Sequence, residues 1–214
     1  MQKLPILLAH RGLHNKKNIS LKEPFFKAID KNLGIELDIR NHNNNLIVSH
    51  DLLINKPILY FRDICNYAMQ KEYDGFIAIN VKEDNLEELI LPIIREFKIK
   101  NWFTFDHSIP DLISSKNLNS FFRISEFEKF TFEKYLKIKG CWLDSFNSPF
   151  WYDIDTLKEL IKRTDLAIVS CDLHGFSPFQ QWGIIEEILN ERMNNKLFLC
   201  TDLIEEASNF FKIK

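Results

Sequence analysis

The sequence has few of the residues that usually divide a chain into parts. Glycine occurs only six times and proline seven times in 214 residues, and neither is concentrated in a linker. No domain boundary can therefore be placed. With 45% hydrophobic residues, the chain is long enough for one sizeable core. We expect a single domain over residues 1–214.

An excess of charge of one sign is also lacking. Lysine and arginine together number 28 against 30 for aspartate and glutamate, which gives a net charge of −2. Nucleic-acid binding depends on a basic surface that neutralises phosphates. We therefore expect no nucleic-acid partner.

Long hydrophobic runs are absent from the amino terminus. The apolar segment within residues 1–9 is too short for a signal peptide or a membrane span. We expect a cytoplasmic protein without a membrane span. The sequence gives no indication of the oligomeric state.

Cysteine is scarce and is not arranged as a metal site. None of the four cysteines, Cys65, Cys141, Cys171 and Cys200, forms a CxxC pair. A thiol in an apolar segment behaves as a small hydrophobic group. We expect buried free thiols.

What the sequence does have is a regular alternation of short strands and longer amphipathic helices. The predicted strands are residues 6–10, 35–40, 76–82, 102–106, 121–125, 141–146, 166–172 and 197–202. The predicted helices are residues 21–31, 59–70, 86–97, 109–115, 126–136, 154–163, 182–192 and 203–211. Eight βα units predict an α/β fold, a (β/α)8 TIM barrel, because closing the sheet leaves no exposed strand edge.

One short extended segment does not fit this alternation. Residues 46–50 follow the second strand after the asparagine-rich residues 41–45, a composition typical of a tight turn with positive φ angles. We predict an extra β-hairpin arm after strand two, above the mouth of the barrel.

Two acidic residues lie on one face of the second strand. Glu36 and Asp38 are two residues apart, so their side chains point the same way. Two buried carboxylates repel each other unless a cation lies between them, and oxygen pairs of this kind suit Mg²⁺ or Ca²⁺. The alternative is an ion pair with Arg or Lys from a neighbouring strand.

Two histidines are placed for proton transfer. His10 ends the first strand, where barrel enzymes carry catalytic groups, and Gly12 allows close approach of the backbone to a ligand. His50, followed by Asp51, ends the arm. Imidazoles on each side of a metal could act as general acid and general base. A single histidine is more often structural, so the prediction rests on the combination.

The third strand adds two polar side chains on its inward face, Asn80 and Lys82. With Arg11, Lys82 could hold a phosphate. An alternative for Lys82 is a salt bridge to Glu36 or Asp38. Another is a Schiff base, as in an aldolase.

Together these residues resemble the signature of the glycerophosphodiester phosphodiesterase family, which is HRG, ExD, HD and a strand-three ExK. The matching segments are His10-Arg11-Gly12, Glu36-Leu37-Asp38, His50-Asp51 and Lys82, in the same order and spacing over roughly the first 82 residues. Weaker similarity is found at Phe105-Asp106 and Cys200-Thr201-Asp202-Leu203.

The resemblance implies a TIM barrel of the phospholipase-C-like phosphodiesterase type and assigns roles to the matched residues. It makes His10 and His50 the acid and base, and Glu36 and Asp38 the metal ligands. It also implies that Arg11 and Lys82 contact the phosphate.

The sequence departs from the family at two places. Asn80 stands where the family has a third carboxylate for the metal, so it is a weaker candidate ligand. Asn18-Ile19-Ser20 stands where the family has Glu-Asn-Thr. The second departure borders the substrate pocket, so the alcohol part of the substrate is not implied.

We therefore expect a metal-dependent phosphodiesterase that uses Mg²⁺ or Ca²⁺. It would hydrolyse a small-molecule glycerophosphodiester-like substrate to a phosphomonoester and an alcohol. Arg123, Trp142 and Asp144, at or near predicted strand ends, are weaker candidates for substrate contacts. The alternative is a catalytically degenerate barrel that binds a phosphorylated ligand or partner, and Asn80 favours it.

Overall fold

The computed structural model describes residues 4–14, 20–52, 57–128, 138–190 and 194–213. The chain divides into two compact units. One is Ala9–Ser120, and the other is Met1–Leu8 with Phe121–Lys214. The first strand, β1 (Ile6–Ala9), ends at the first residue of the Ala9–Ser120 unit.

The Ala9–Ser120 unit is built on a parallel sheet in which β2 pairs with β4 and β4 pairs with β5. Both faces of β2 and β4 are buried, as expected for parallel strands with covered faces. The elements are α1 (Glu23–Asp30), β2 (Gly34–His42), β3 (Asn45–Val48), α2 (Phe61–Gln70), β4 (Ile77–Val81), α3 (Glu87–Glu96), β5 (Trp102–Phe105) and α4 (Ile109–Ser114).

The other unit contains a second run of parallel strands, with β6 next to β7, β7 next to β8 and β8 next to β9. Its elements are β6 (Phe121–Ile124), β7 (Gly140–Leu143), α5 (Ile154–Arg163), β8 (Asp165–Val169), a 3-10 helix (Cys171–His174), α6 (Phe179–Ile188), β9 (Leu197–Thr201) and α7 (Ile204–Phe211).

The strand order in the sheet is β5-β4-β2-β1-β9-β8-β7-β6, with β3 paired to β2 outside this path. This order of strands and helices is that of a (β/α)8 TIM barrel, so the predicted fold class is confirmed. Whether the whole chain is a single domain stays a prediction.

None of the helices in the described ranges is long and apolar enough to cross a lipid bilayer.

Some predicted boundaries were wrong. The strands predicted at residues 141–146 and 166–172 end at Leu143 and Val169. Two residues beyond these ends, the backbone N–H groups donate to side chains instead of to the sheet: Ser145 N donates to its neighbour Asp144, and Cys171 N donates to Gln181. Of the predicted helix 126–136, residues 126–128 form a turn and a bridge instead, and residues 129–136 lie outside the described residues.

The predicted hairpin arm is present. β3 runs antiparallel to β2, and the pairing ends at His42 opposite Asn45. The two residues between them, Asn43 and Asn44, have φ angles of 51° and 60°. Asparagine tolerates this left-handed conformation, which a two-residue hairpin turn requires.

The four cysteines are buried thiols that form no disulfide, as predicted. Burial raises the pKa of the Cys141 thiol to about 12 and that of Cys65 higher still. Both thiols therefore stay protonated and act as core hydrophobes.

A buried polar network lies next to β5. His107 Nδ1 is 2.6 Å from Asp111 Oδ2, and His107 Nε2 is 2.8 Å from the Thr104 hydroxyl. Asp111 Oδ1 also accepts a hydrogen bond from Asn85 N at 2.8 Å. The Asp111 carboxylate thus connects the start of α4 to the loop before α3, away from water.

We predict that Asp111→Ala lowers the free energy of unfolding by about 3 kcal/mol, because it leaves the buried imidazole of His107 and the backbone N–H of Asn85 without their acceptor. Urea denaturation measures the loss. Asp63→Ala is the matched control, since Asp63 is an exposed acid in the first turn of α2, and it should cost less than about 1 kcal/mol. Equal losses in the two variants would contradict the role given to this network.

Candidate functional site

The acidic pair of β2 is buried. Glu36 is 2% exposed and Asp38 is 3% exposed. In the register with β4, Asp38 lies opposite Asn80 and Glu36 lies opposite Ala78. Arg11 contacts both carboxylates. This agrees with the prediction that Glu36 and Asp38 lie on one face of β2.

Arg11 holds both acids from the loop after β1. Its backbone N donates to Glu36 Oε2 at 3.1 Å, and its side-chain Nε lies 3.1 Å from Asp38 Oδ2. To do so, Arg11 adopts a left-handed conformation with φ 52°, which is costly for a residue with a side chain and is typical of functional sites.

Gly12 continues the same loop, with φ 79°. A Cβ at this position would lie 2.6 Å from the backbone carbonyl carbon of Pro24. The close backbone approach expected for this glycine is therefore made to the start of α1. It fixes the loop that carries Arg11.

Lys82 binds the other oxygen of Asp38. Its Nζ lies 3.2 Å from Asp38 Oδ1 and 3.8 Å from Asp106 Oδ2. Asp106 follows β5 and also has a left-handed backbone, with φ 68°. The salt-bridge alternative considered for Lys82 is thus present, and Asp38 has a cationic group at each oxygen.

Glu36 has an unusual protonation equilibrium. Burial, followed by repulsion from Asp38, raises the pKa of the Glu36 carboxyl from 4.5 to about 7. The charge of His10 and the hydrogen bond from the backbone of Arg11 oppose this increase. His10 therefore lies within electrostatic reach of the acidic pair.

Asn80, the weaker candidate ligand for the metal, contributes a side-chain amide oxygen. The side chain is buried, and its Oδ1 has no hydrogen-bond partner among the described residues. Leaving a buried acceptor unpaired costs about 1–3 kcal/mol, so this oxygen is suited to accept a hydrogen bond or to coordinate a cation.

The chemistry of these donors fits a divalent cation. Glu36, Asp38 and Asn80 supply two carboxylates and one amide oxygen, which are hard ligands of the type that Mg²⁺ and Ca²⁺ prefer. Within the described ranges, no three His, Cys, Asp or Glu side chains converge closely enough to hold a metal. A metal ion bound at Glu36 and Asp38 would therefore need the amide of Asn80 as a third ligand.

His50 lies on the hairpin arm, just beyond β3. Ser49 N donates to the backbone oxygen of Asp38 at 3.0 Å, which ties this end of the arm to the strand of the acidic pair. The His50 ring is half-exposed, and its Nδ1 lies 2.8 Å from Asp51 Oδ1. That contact orients the imidazole.

Two further residues near the site, Arg40 and Glu83, were not predicted from the sequence. Arg40 donates to the backbone carbonyl of His50 and binds Glu83. Arg40 could have been predicted from the sequence, since it lies two residues after Asp38 and hence on the same face of β2.

The weaker candidates lie in the other compact unit. Arg123 pairs with Glu128. Asp144 accepts a hydrogen bond from Ser145 N at 2.8 Å, and its Oδ1 lies 2.8 Å from His174 Nε2.

Trp142 is only 4% exposed, and its role in substrate binding stays a prediction. Asn18 and Ile19, at one of the departures from the family, lie outside the described residues.

We predict that Glu36→Gln changes how stability depends on pH, measured in the presence of a chelator. Below pH 4.5 the Glu36 carboxyl is protonated in both the folded and the unfolded chain. As pH rises from 4.5 to about 7, the unfolded chain releases the proton that the folded chain keeps, so the free energy of unfolding falls. Glu36→Gln removes this decrease and gains stability over the wild type above pH 7.

Urea denaturation at pH 4.5, 6 and 8 measures the effect. Glu88→Gln is the control, because Glu88 is exposed on α3, and it should leave the pH dependence unchanged. A Glu36→Gln curve parallel to the wild type would show that Glu36 ionises normally.

No protein-family model and no curated protein sequence matches the chain. Several solved structures do match its fold. A protein of Galdieria sulphuraria, proposed to be a glycerophosphodiester phosphodiesterase, is 11% identical with a TM-score of 0.74, and the match covers 98% of each chain.

A glycerophosphodiester phosphodiesterase of Parabacteroides distasonis is 13% identical with a TM-score of 0.69, over 99% of this chain and 98% of that one. A phosphodiesterase of Oleispira antarctica, solved with its product sn-glycerol-3-phosphate, is 12% identical with a TM-score of 0.65, over 96% and 97%. At such low identity, these matches show that this chain shares the barrel fold of those proteins.

Proposed function

We propose that this protein is a metal-dependent phosphodiesterase that hydrolyses a small glycerophosphodiester-like substrate. The observation that carries the proposal is the grouping of Arg11 and Lys82 around the buried carboxylate of Asp38. Cations grouped in this way can bind a phosphate. The phosphodiesterase names of the structural neighbours support the same reaction class.

The acidic pair is the proposed metal site. Glu36, Asp38 and Asn80 would hold one Mg²⁺ or Ca²⁺ ion, with the free Oδ1 of Asn80 as the third donor. When bound, such an ion polarises a phosphoryl oxygen and stabilises negative charge. A ligand must lose its proton, so Glu36 acts as a carboxylate in this role.

Arg11 and Lys82 would bind the phosphate. The Arg11 side chain is 39% exposed and that of Lys82 is 19% exposed. Both side chains can therefore contact a ligand while they remain next to Asp38. Both would neutralise the charge that develops on the phosphoryl oxygens in the transition state. Because Lys82 is paired as a cation, this role suits it better than Schiff-base chemistry, which needs a neutral amine.

His10 and His50 would move the protons. One imidazole takes a proton from the attacking water as the new P–O bond forms. The other gives a proton to the alcohol oxygen as the old P–O bond breaks. The products are a phosphomonoester and an alcohol, and the two histidines then exchange the proton with solvent.

A second candidate function is a barrel that binds a phosphorylated ligand without turnover. Asn80 favours it, because this neutral residue leaves two carboxylates to face the two cations Arg11 and Lys82. A screen of glycerophosphodiesters with Mg²⁺ and Ca²⁺ separates the two functions. Metal-dependent product formation supports the enzyme, and binding of glycerol 3-phosphate without turnover supports the alternative.

We predict that His10→Ala and His50→Ala each lower phosphodiester turnover by about 100-fold or more, because each removes one proton-transfer group. Steady-state hydrolysis of sn-glycero-3-phosphocholine measures the effect. His42→Ala is the matched control, since His42 lies on the same hairpin next to its two-residue turn, and its turnover should equal the wild type. Normal turnover in the first two variants would refute the acid and base roles.

We also predict that Asn80→Glu tightens binding of Mg²⁺, because it adds a third negative charge among the ligands. Isothermal titration calorimetry on the folded variant measures the dissociation constant. Asn80→Ala removes the donor and should weaken binding. If neither substitution changes the affinity, Asn80 does not coordinate the ion.

A further inference from the structure

The side chain of Arg40 joins three parts of the Ala9–Ser120 unit. Arg40 lies near the end of β2, and its Nε and Nη2 donate to the backbone oxygen of His50 at 3.2 and 3.0 Å. Its Nη1 lies 3.3 Å from Glu83 Oε1. One guanidinium therefore holds the end of the arm and is itself held by an acid.

Glu83 fixes the other side of this arrangement. It directly follows Lys82, and its second oxygen, Oε2, accepts a hydrogen bond from Asn41 N at 3.3 Å. The Glu83 carboxylate thus binds both the side chain of Arg40 and the backbone of the next residue. This ties the arm to the segment that carries the phosphate-binding lysine.

The contact is unlike an ordinary surface ion pair. The side chains of Arg40 and Glu83 are 19% and 35% exposed, whereas those of Arg62 and Glu96, an ion pair between α2 and α3, are each 49% exposed. Exposed pairs contribute little to stability because water screens them and both side chains lose entropy. Arg40 instead places two rigid donors of one planar group on a single carbonyl.

His50 needs such an anchor. β3 ends at Val48. The last described backbone hydrogen bond between this end of the arm and β2 runs from Ser49 N to the backbone oxygen of Asp38. The His50 side chain pairs with Asp51, whose side chain is 74% exposed, so this contact orients the ring without burying it. The backbone of His50 is therefore fixed through its carbonyl oxygen.

We propose that Arg40, held by Glu83, is a positioning residue that fixes His50 for proton transfer at the phosphodiester. The inference rests on the proposed function, because it assumes that His50 transfers a proton in the reaction. Arg40 acts through the backbone of His50 and needs no contact with the substrate. A misplacement of about 1 Å in a catalytic group can cost about 100-fold in rate.

The kinetic test compares variants on sn-glycero-3-phosphocholine and on bis(4-nitrophenyl) phosphate. Arg40→Ala should lower kcat by about 10- to 100-fold and change KM less than about threefold. Arg40→Lys should recover part of kcat, because an ammonium can still donate to the His50 carbonyl. Arg62→Ala is the matched control and should behave as the wild type.

A double variant tests whether Arg40 affects kcat through His50. If Arg40 acts through His50, Arg40→Ala added to His50→Ala should cause no further loss of kcat. A full additional loss would show that Arg40 acts by another route and would overturn the proposal.

A second readout does not depend on turnover. Hydrogen–deuterium exchange of the amides in residues 49–51 should be at least tenfold faster in Arg40→Ala than in the wild type and in Arg62→Ala. Unchanged exchange overturns the positioning role. If the wild type hydrolyses neither diester, the proposed function fails, and the exchange rates alone then decide whether Arg40 fixes the arm.

Discussion

The burial of two carboxylates side by side on β2 is the constraint on which the site depends. Neither Glu36 nor Asp38 has enough water around it to stabilise a charge, and each raises the energy of ionising the other. The chain meets this cost in two ways. Asp38 has a cationic group at each oxygen, from Arg11 and Lys82, and the Glu36 carboxyl keeps its proton up to about pH 7.

That constraint also explains the unusual backbone around the site. Arg11 contacts both acids from a left-handed conformation, which the next residue, Gly12, continues against the start of α1. Asp106, near Lys82, is also left-handed. Strain of this kind persists only where surrounding contacts compensate for it, and here the contacts are those of the acidic pair with its cations.

The arrangement also limits what the site can do with a ligand. The two cations beside Asp38 are only partly neutralised by its single carboxylate, so they leave positive charge for an anion. The unpaired oxygen of Asn80 gives the site one more place for a positive charge. A divalent ion with a phosphodiester would satisfy both needs, and this is the chemistry proposed for the protein.

Much of this could be predicted from local sequence patterns. Alternation with period two placed Glu36 and Asp38 on one face, because successive side chains of a strand point to opposite sides. The asparagine turn predicted the arm, because two residues there must have positive φ. Strand ends were less accurate, as at Leu143, because a side chain that captures a backbone N–H can end a strand without a change in hydrophobicity.

The sequence by itself determined the order of the βα units, the arm, the buried thiols and the identity of the acidic and basic groups, since these follow from local periodicity and residue chemistry. Only the tertiary structure decided which cation meets which carboxylate oxygen, that Asn80 keeps a free acceptor, and that Arg40 reaches the carbonyl of His50. Those contacts join residues distant in the chain, and their distances depend on how the strands pack and how far each long side chain extends.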